Sequence, residues 1–237
     1  MWRQWLSRIT NAVPSQCAVC RAWPAQPLCE ACVVRFAQPQ PRCRTCAMAV
    51  PSGVSQCGTC LRQPPALDAC VAAVSYAFPW SRLVVAFKFQ AAPGWAAPLA
   101  QVLRSAPWVE PALETADLVL PMPLSAQRLR ERGYNQSWLL ARQLAPHKAD
   151  AGVLLRVRDT LPQSSLSRAE RVRNLRHAFL VEPLRAAELA GRRVVVVDDV
   201  MTSGASLQVS AQALRGAGAR HVTGLVFARA EISDPGA

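Results

Sequence analysis

From Leu67 onward, short apolar runs alternate with stretches of helical period. The run LDACVAAVSYAF (67–78) reads as a strand, and WSRLVVAFKFQ (80–90) as a strand or short helix around Lys88. Residues 94–106 carry a helical pattern. ADLVLPMP (116–123) is a short apolar strand stopped by two prolines, and residues 125–145 form a helical stretch broken at Gly133. The polar segment 156–174 reads as a long mobile loop leading into a helix. Residues 191–229 then give strand, turn, helix, glycine-rich turn and strand, a β-α-β unit that implies a parallel sheet with right-handed crossovers. The expected fold class is α/β, a parallel sheet flanked by helices.

Residues 1–66 break this rhythm. They are rich in Cys, Pro and Gln with only short apolar runs, which suits a small module unable to hold itself together by burial. The expected division is therefore 1–66 and 67–237. The chain of 237 residues is 51% hydrophobic and 18% charged, which excludes disorder along its whole length. No run approaches the roughly 18–20 apolar residues of a membrane span. The start, MWRQWLSRITNAVPSQC, is interrupted by Arg3, Gln4 and Arg8 and has no apolar signal core. These features lead us to expect a soluble cytoplasmic protein without a membrane span. The net charge of +12 rests on arginine, because Lys88 and Lys148 are the only lysines. An anionic partner and a coding bias toward arginine explain that excess equally well.

Eight of the nine cysteines form four Cys-x-x-Cys pairs: Cys17/Cys20, Cys29/Cys32, Cys43/Cys46 and Cys57/Cys60. Such a turn brings two thiolates to one tetrahedral ion, and two turns complete a closed four-cysteine site. Eight ligands supply two structural zinc ions, each contributing on the order of 10 kcal/mol to folding. A redox dithiol and disulfides are the competing readings, the latter disfavoured in the cytoplasm. Adjacent pairs could share an ion, or alternate pairs could cross-brace. The helix-like LCEACVVRF favours the adjacent scheme. Cys70, in an alternating apolar strand, reads as an ordinary buried thiol.

The sharpest chemical signal is VVVVDDVMTSGAS (194–206). Four β-branched residues make a strand buried on both faces, and Asp198 and Asp199 end it at the sheet edge where α/β folds bind ligands. Thr202, Ser203, Gly204, Ala205 and Ser206 then open a helix whose free amides suit a phosphate. Carboxylates for a diol beside an anion cradle describe a ribose 5-phosphate site. A P-loop is excluded because neither lysine follows a glycine, and no G-x-G-x-x-G follows a strand. A plain helix cap at Thr202 or Ser203 explains the hydroxyls but not the adjacent acids.

This stretch resembles the 5-phosphoribosyl-1-diphosphate (PRPP) motif of type I phosphoribosyltransferases. The whole chain resembles one branch, the ComF family of competence proteins and their GntX-like relatives. The match runs through the cysteine pairs, FKF around Lys88, LVLPMPLSAQRLRERGYNQS, TLPQSSLSRAERVRNLRHAF, the PRPP motif and a closing VFAR. Thr202-Ser203 and Ser206 stand where the family has threonines, and keep the hydroxyls. The resemblance implies a type I phosphoribosyltransferase-like parallel sheet with a small N-terminal zinc-binding module. It places Asp198 and Asp199 on the ribose hydroxyls, residues 202–206 on the 5′-phosphate, residues 122–125 in the pyrophosphate loop, and residues 160–174 as a hood. It adds Lys88 to the substrate-binding set and Mg²⁺ as the companion of PRPP. The pyrophosphate loop lacks the glycine-rich form of base-salvage enzymes.

Basic segments flank this site. Arg128, Arg130 and Arg132 precede a polar turn, and Arg168, Arg171, Arg173 and Arg176 lie in the hood segment. They could neutralise pyrophosphate, follow a nucleic-acid backbone, or form a solvated face. Arg132 and Asn135 are the strongest substrate-binding candidates, because Gly133 beside them suggests backbone held close to a ligand. Two functions follow. One is a phosphoribosyltransferase that displaces magnesium pyrophosphate from PRPP. The other, suggested by the family's link to natural transformation, is a non-catalytic scaffold or nucleotide sensor that handles single-stranded DNA with the competence machinery.

Overall fold

The computed structural model describes residues 15–157 and 178–231. Contacts divide the chain into two compact units, Met1–Gln38 and Pro39–Ala237. In the first, an antiparallel bridge between Ser15 and Ala25 closes a loop around Cys17 and Cys20. Helix α1 (Glu30–Phe36) starts directly after Cys29, and Cys32 is its one buried side chain. Apolar packing therefore contributes little to holding this helix.

The second unit begins on the same plan. A bridge between Arg42 and Ala49 encloses Cys43 and Cys46, and the short helix α2 (Gly58–Arg62) follows Cys57. Composition alone groups residues 43–60 with the amino-terminal module. The contacts instead assign them to the unit that contains the sheet.

The order of elements after α2 is β1 (Ala69–Ser75), α3 (Trp80–Phe89), α4 (Ala96–Ser105), α5 (Val109–Thr115), β2 (Leu118–Pro121), α6 (Ala126–Arg132) and α7 (Gln136–Leu144). Then come β3 (Leu154–Arg156), β4 (Phe179–Val181), β5 (Arg193–Met201), α8 (Ala205–Gly216) and β6 (His221–Arg229). The sheet has the order β1-β6-β5-β2 with every neighbouring pair parallel. Strands β3 and β4 form a separate antiparallel pair.

Parallel strands need cover on both faces, and this sheet has it. Val194, Val196, Val222 and Val226 pack with Leu207 and Leu214 of α8. On the other face α4 packs on β1 and β6, and α7 on β2 and β5. Trp80 meets Phe227 edge-on with ring centroids 5.8 Å apart. Central strands buried this way bring every carboxyl end to one rim, where β2 and β5 deliver their following loops together.

The 80–90 segment is a helix, and the break at Gly133 is real: its φ of 79° ends α6 in the left-handed region. Two features went unforeseen. Helix α5 carries Pro111 in its first turn, where a missing amide costs no helical bond. The β3–β4 pair draws three-residue strands from sequence on either side of the 156–174 segment that carried no strand signal, with only Arg156 inside the stretch read as loop. Among the described residues no helix is long and apolar enough to cross a membrane.

Candidate functional site

Strand β5 places Asp198 and Asp199 on the sheet's carboxyl rim. Alternation along the strand sends the two side chains to opposite faces, so each needs its own partner. Asp198 Oδ1 accepts hydrogen bonds from Ser137 Oγ on α7 and from the Asp199 amide, both at 2.9 Å. Burial, and then the charge of Asp199, pushes the Asp198 carboxyl up to about 7 against the opposing pull of Lys88.

Asp199 is buried, 2% exposed. Lys88 Nζ, carried by α3, lies 3.0 Å from Oδ1 and 2.9 Å from Oδ2. Only the Oδ1 contact has hydrogen-bond geometry, so Oδ2 is left with Coulombic compensation alone. A buried carboxylate oxygen without a donor is a place for an incoming hydroxyl or cation.

The loop after β5 turns at Gly204, whose φ of 77° opens α8. A Cβ there would stand 2.4 Å from Met201 Cε, the movable end of a flexible side chain, so the left-handed backbone rather than the space selects glycine. Asp198 and residues 200–207 line one concavity, with Ser203 Oγ accepting from the Ala205 amide at 3.4 Å. Thr202 is exposed, Ser206 and Gly204 are half-buried, and Ala205 is buried. The free amides of the first helical turn are available to an anion.

Residues 122–125 follow β2 and reach the same rim, tied to β5 by the Met122 amide donating to the Val197 carbonyl at 2.8 Å. Ser125 caps α6 by accepting from the Arg128 amide. Asn135 also serves the backbone: it caps α7 through the Ser137 and Trp138 amides, and its Nδ2 donates to the Met122 carbonyl at 3.1 Å. It therefore holds the loop after β2 in place. Arg132 is half-buried, with its guanidinium 5.2 Å above the exposed Phe89 ring and a hydrogen bond to Gln136 Oε1. Burial lowers its pKa, while the charges of Asp199 and Asp198 oppose that shift. Arg128 and Arg130 are exposed. The hood segment 160–174 and Arg168, Arg171, Arg173 and Arg176 lie outside the described residues.

The cysteines converge as adjacent tetrads, Cys17/Cys20/Cys29/Cys32 and Cys43/Cys46/Cys57/Cys60, with each set of sulfurs within 4.8 Å of one another. A tetrahedral ion with bonds of about 2.3 Å separates its sulfurs by about 3.8 Å. The distances are 3.8 Å for Cys17–Cys32, 3.6 Å for Cys20–Cys29 and 3.7 Å for Cys46–Cys57. Each tetrad could hold a metal ion, consistent with zinc. Burial disfavours ionising Cys17, but amides of Cys29, Cys20 and Val19 bring it down to about 6. Cys43 is likewise buried and brought to about 6 by the amides of Cys57, Thr45 and Cys46. Burial dominates at Cys70 and pushes its thiol up to about 12.

Sequence reasoning missed two residues. Ser137 orients Asp198, and its signal was only its place in the first turn of the helix, two residues after the Asn135 cap. Arg229 is 2% exposed at the end of β6. In the sequence it shows only as the charge that closes the buried run LVFAR.

Known proteins resemble this chain along most of its length. Residues 140–233 match the phosphoribosyl transferase domain model. The DNA utilization protein YhgH of Salmonella typhimurium is 33% identical over 219 residues, covering 89% of this chain and 95% of the relative. Competence protein F of Haemophilus influenzae is 35% identical over 180 residues, 72% of this chain and 76% of the relative. YhgH of Escherichia coli K12 is 35% identical over 170 residues, 68% and 72% of the two chains. With a paired carboxylate beside a helix-opening loop, two cysteine tetrads, and this identity along nearly its whole length, the chain belongs to the family of competence protein F and YhgH.

Proposed function

We propose that the rim of the sheet binds PRPP. The observation that carries this reading is that Asp198 shares one concavity with the Gly204 turn, with the buried Asp199 beside it on β5 held by Lys88. The two carboxylates accept the ribose 2- and 3-hydroxyls, and the amides and hydroxyls of residues 202–206 hold the 5′-phosphate. Arg132 and the loop at residues 122–125 face the pyrophosphate. Lys88, paired with Asp199 in the free protein, turns its ammonium to the ligand's phosphates as the ribose hydroxyls take its place. Mg²⁺ bound with PRPP supplies charge neutralisation of the leaving pyrophosphate. The chain's own contribution to transfer is to hold diol and phosphate, so that charge developing at the anomeric carbon meets fixed carboxylates. Zinc in the two cysteine tetrads folds the knuckles.

Calorimetric titration with PRPP, with and without Mg²⁺, tests the site. Wild type should bind, and Asp198→Asn with Asp199→Asn should abolish binding while metal content stays constant. Equal affinity in the double variant overturns the assignment. A pyrophosphate-release assay with candidate bases then reads turnover.

A second reading is favoured by α6, which buries none of its side chains and displays Arg128 and Arg130. Together with the printed names of the relatives, this helix suggests contact with a DNA strand in competence or DNA utilisation. Single-strand affinity that falls linearly in log–log with salt, at roughly 0.7 per phosphate contacted, supports it. Indifference to salt, or to Arg128→Gln with Arg130→Gln, removes it.

A further inference from the structure

The second cysteine tetrad and the phosphate loop meet at one buried side chain. Arg229 leaves the end of β6 and donates from Nε to the carbonyl of Cys46 at 2.9 Å. Its Nη1 donates to the carbonyl of Met201 at 2.9 Å, to that of Ala230 at 2.6 Å, and to that of Thr202. One guanidinium thus binds the backbone of a metal-ligating residue and the first residues of the loop that cradles phosphate. The fixed fork of donors makes this bridge directional in a way that an ammonium would not be.

Other contacts make the link stiff. The Cys70 amide donates to the Arg44 carbonyl at 2.8 Å, and Cys70 Sγ lies 3.6 Å from Met201 Sδ. Arg42 reaches the Ala47 carbonyl at 3.0 Å and Ser75 Oγ at 2.9 Å. The knuckle that holds Cys43 and Cys46 therefore backs the start of the loop through several short bonds, and Met201 fills the space that Gly204 leaves open. A backbone carbonyl moves with the ligand that carries it. Closing the tetrad on an ion fixes Cys46, and through Arg229 it fixes the Met201 and Thr202 carbonyls.

We propose that Arg229 is a positioning residue that couples the second cysteine tetrad to the phosphate-binding loop, so that metal held by Cys43, Cys46, Cys57 and Cys60 sets the loop's affinity for a phosphate ester. The affinity half of this proposal rests on the PRPP reading; the coupling itself does not. The coupling is reciprocal, so a ligand on the loop must slow metal loss from this tetrad.

Arg229→Gln and Arg229→Lys in the full chain test it, with metal content, amide hydrogen exchange and PRPP titration read on each. In Arg229→Gln the Gln208 amide, which ties α8 to the loop by donating to the Gly204 carbonyl, should exchange about tenfold faster, while the amides of β5 and β6 are unchanged and both ions are retained. PRPP affinity should fall by about tenfold, with partial recovery in Arg229→Lys, a graded rescue that general loosening of the fold would not give. PRPP should also slow metal release to a colorimetric chelator from one of the two ions in wild type, and not in Arg229→Gln.

Gln208 amide exchange identical to wild type in a folded, metal-replete variant overturns the proposal, as does faster exchange spread evenly over the sheet. Should Arg229→Gln fail to fold, Arg229→Lys decides by the same local exchange pattern. Wild type that does not bind PRPP removes the PRPP reading, and the exchange data still decide the coupling.

Discussion

The two cysteine knuckles share one local design and are put to different uses. Each has a bridge closing it, Ser15–Ala25 in one and Arg42–Ala49 in the other. Each has a left-handed residue straight after the second ligand, Arg21 at φ 66° and Ala47 at φ 55°. Each starts a helix on its third cysteine, and an amide there donates to the first sulfur, Cys29 to Cys17 at 3.5 Å and Cys57 to Cys43 at 3.3 Å. The difference lies in what surrounds them. The first knuckle lies in the unit Met1–Gln38, and the second is built into the unit with the sheet, its Ala47 fully buried in the main core. A metal-closed turn can be a small fold in itself or a bracket for a larger one, and its neighbours decide which.

Emptying the tetrads in turn should give the largest contrast. Cys57→Ser with Cys60→Ser should lower the thermal stability of the sheet unit steeply, since a structural ion of this kind is worth on the order of 10 kcal/mol. Cys20→Ser with Cys29→Ser should leave the sheet unit's melting within about 1 °C of wild type. Equal losses measured by circular dichroism and metal analysis would erase the distinction between the two knuckles.

A change that spares both knuckles should come next. The Asp198 carboxyl stands at about 7, above its ordinary 3.8, so the folded protein holds this proton more tightly than the unfolded chain. The stability this confers is complete below pH 4 and is lost as pH rises through 7. Asp198→Asn should therefore stabilise the ligand-free protein by about 1 kcal/mol or more at pH 8 and not at pH 4. Denaturant titrations at the two pH values read this, and metal content should not change.

The finest comparison exchanges the left-handed residues. Arg21→Gly relieves an exposed strained position and should stabilise the first knuckle by about 0.5–1 kcal/mol. Ala47→Gly relieves the same conformation but deletes a buried methyl worth about 0.8 kcal/mol, so the second knuckle should change by less than about 0.5 kcal/mol. Metal-release kinetics for each knuckle check both signs.

What the sequence made legible followed from strong local constraint. The Val194–Val197 run ending in two acids, the four Cys-x-x-Cys spacings and the break at Gly133 each admit few conformations, and the structure places them as read. The residues that escaped depend on distant neighbours. Asn135 beside a glycine looked like a ligand contact, yet its amide caps α7 and holds Met122, thirteen residues back. The grouping of residues 43–60 with the amino-terminal module followed composition, which records cysteine and proline content but not the Arg229 and Cys70 bonds that join this knuckle to the sheet.

The bond from the Cys70 amide to the Arg44 carbonyl has a further consequence. Strand β1 is an outer strand of the sheet, apolar from Ala69 to Val74, and such an edge is a template for lateral strand addition. The second knuckle occupies part of that template, with Arg42 capping its far end at Ser75. Lifting this knuckle away would bare part of that apolar edge to other chains, so the turn around Cys43 and Cys46 serves the sheet as an edge cover as well as a metal-type site.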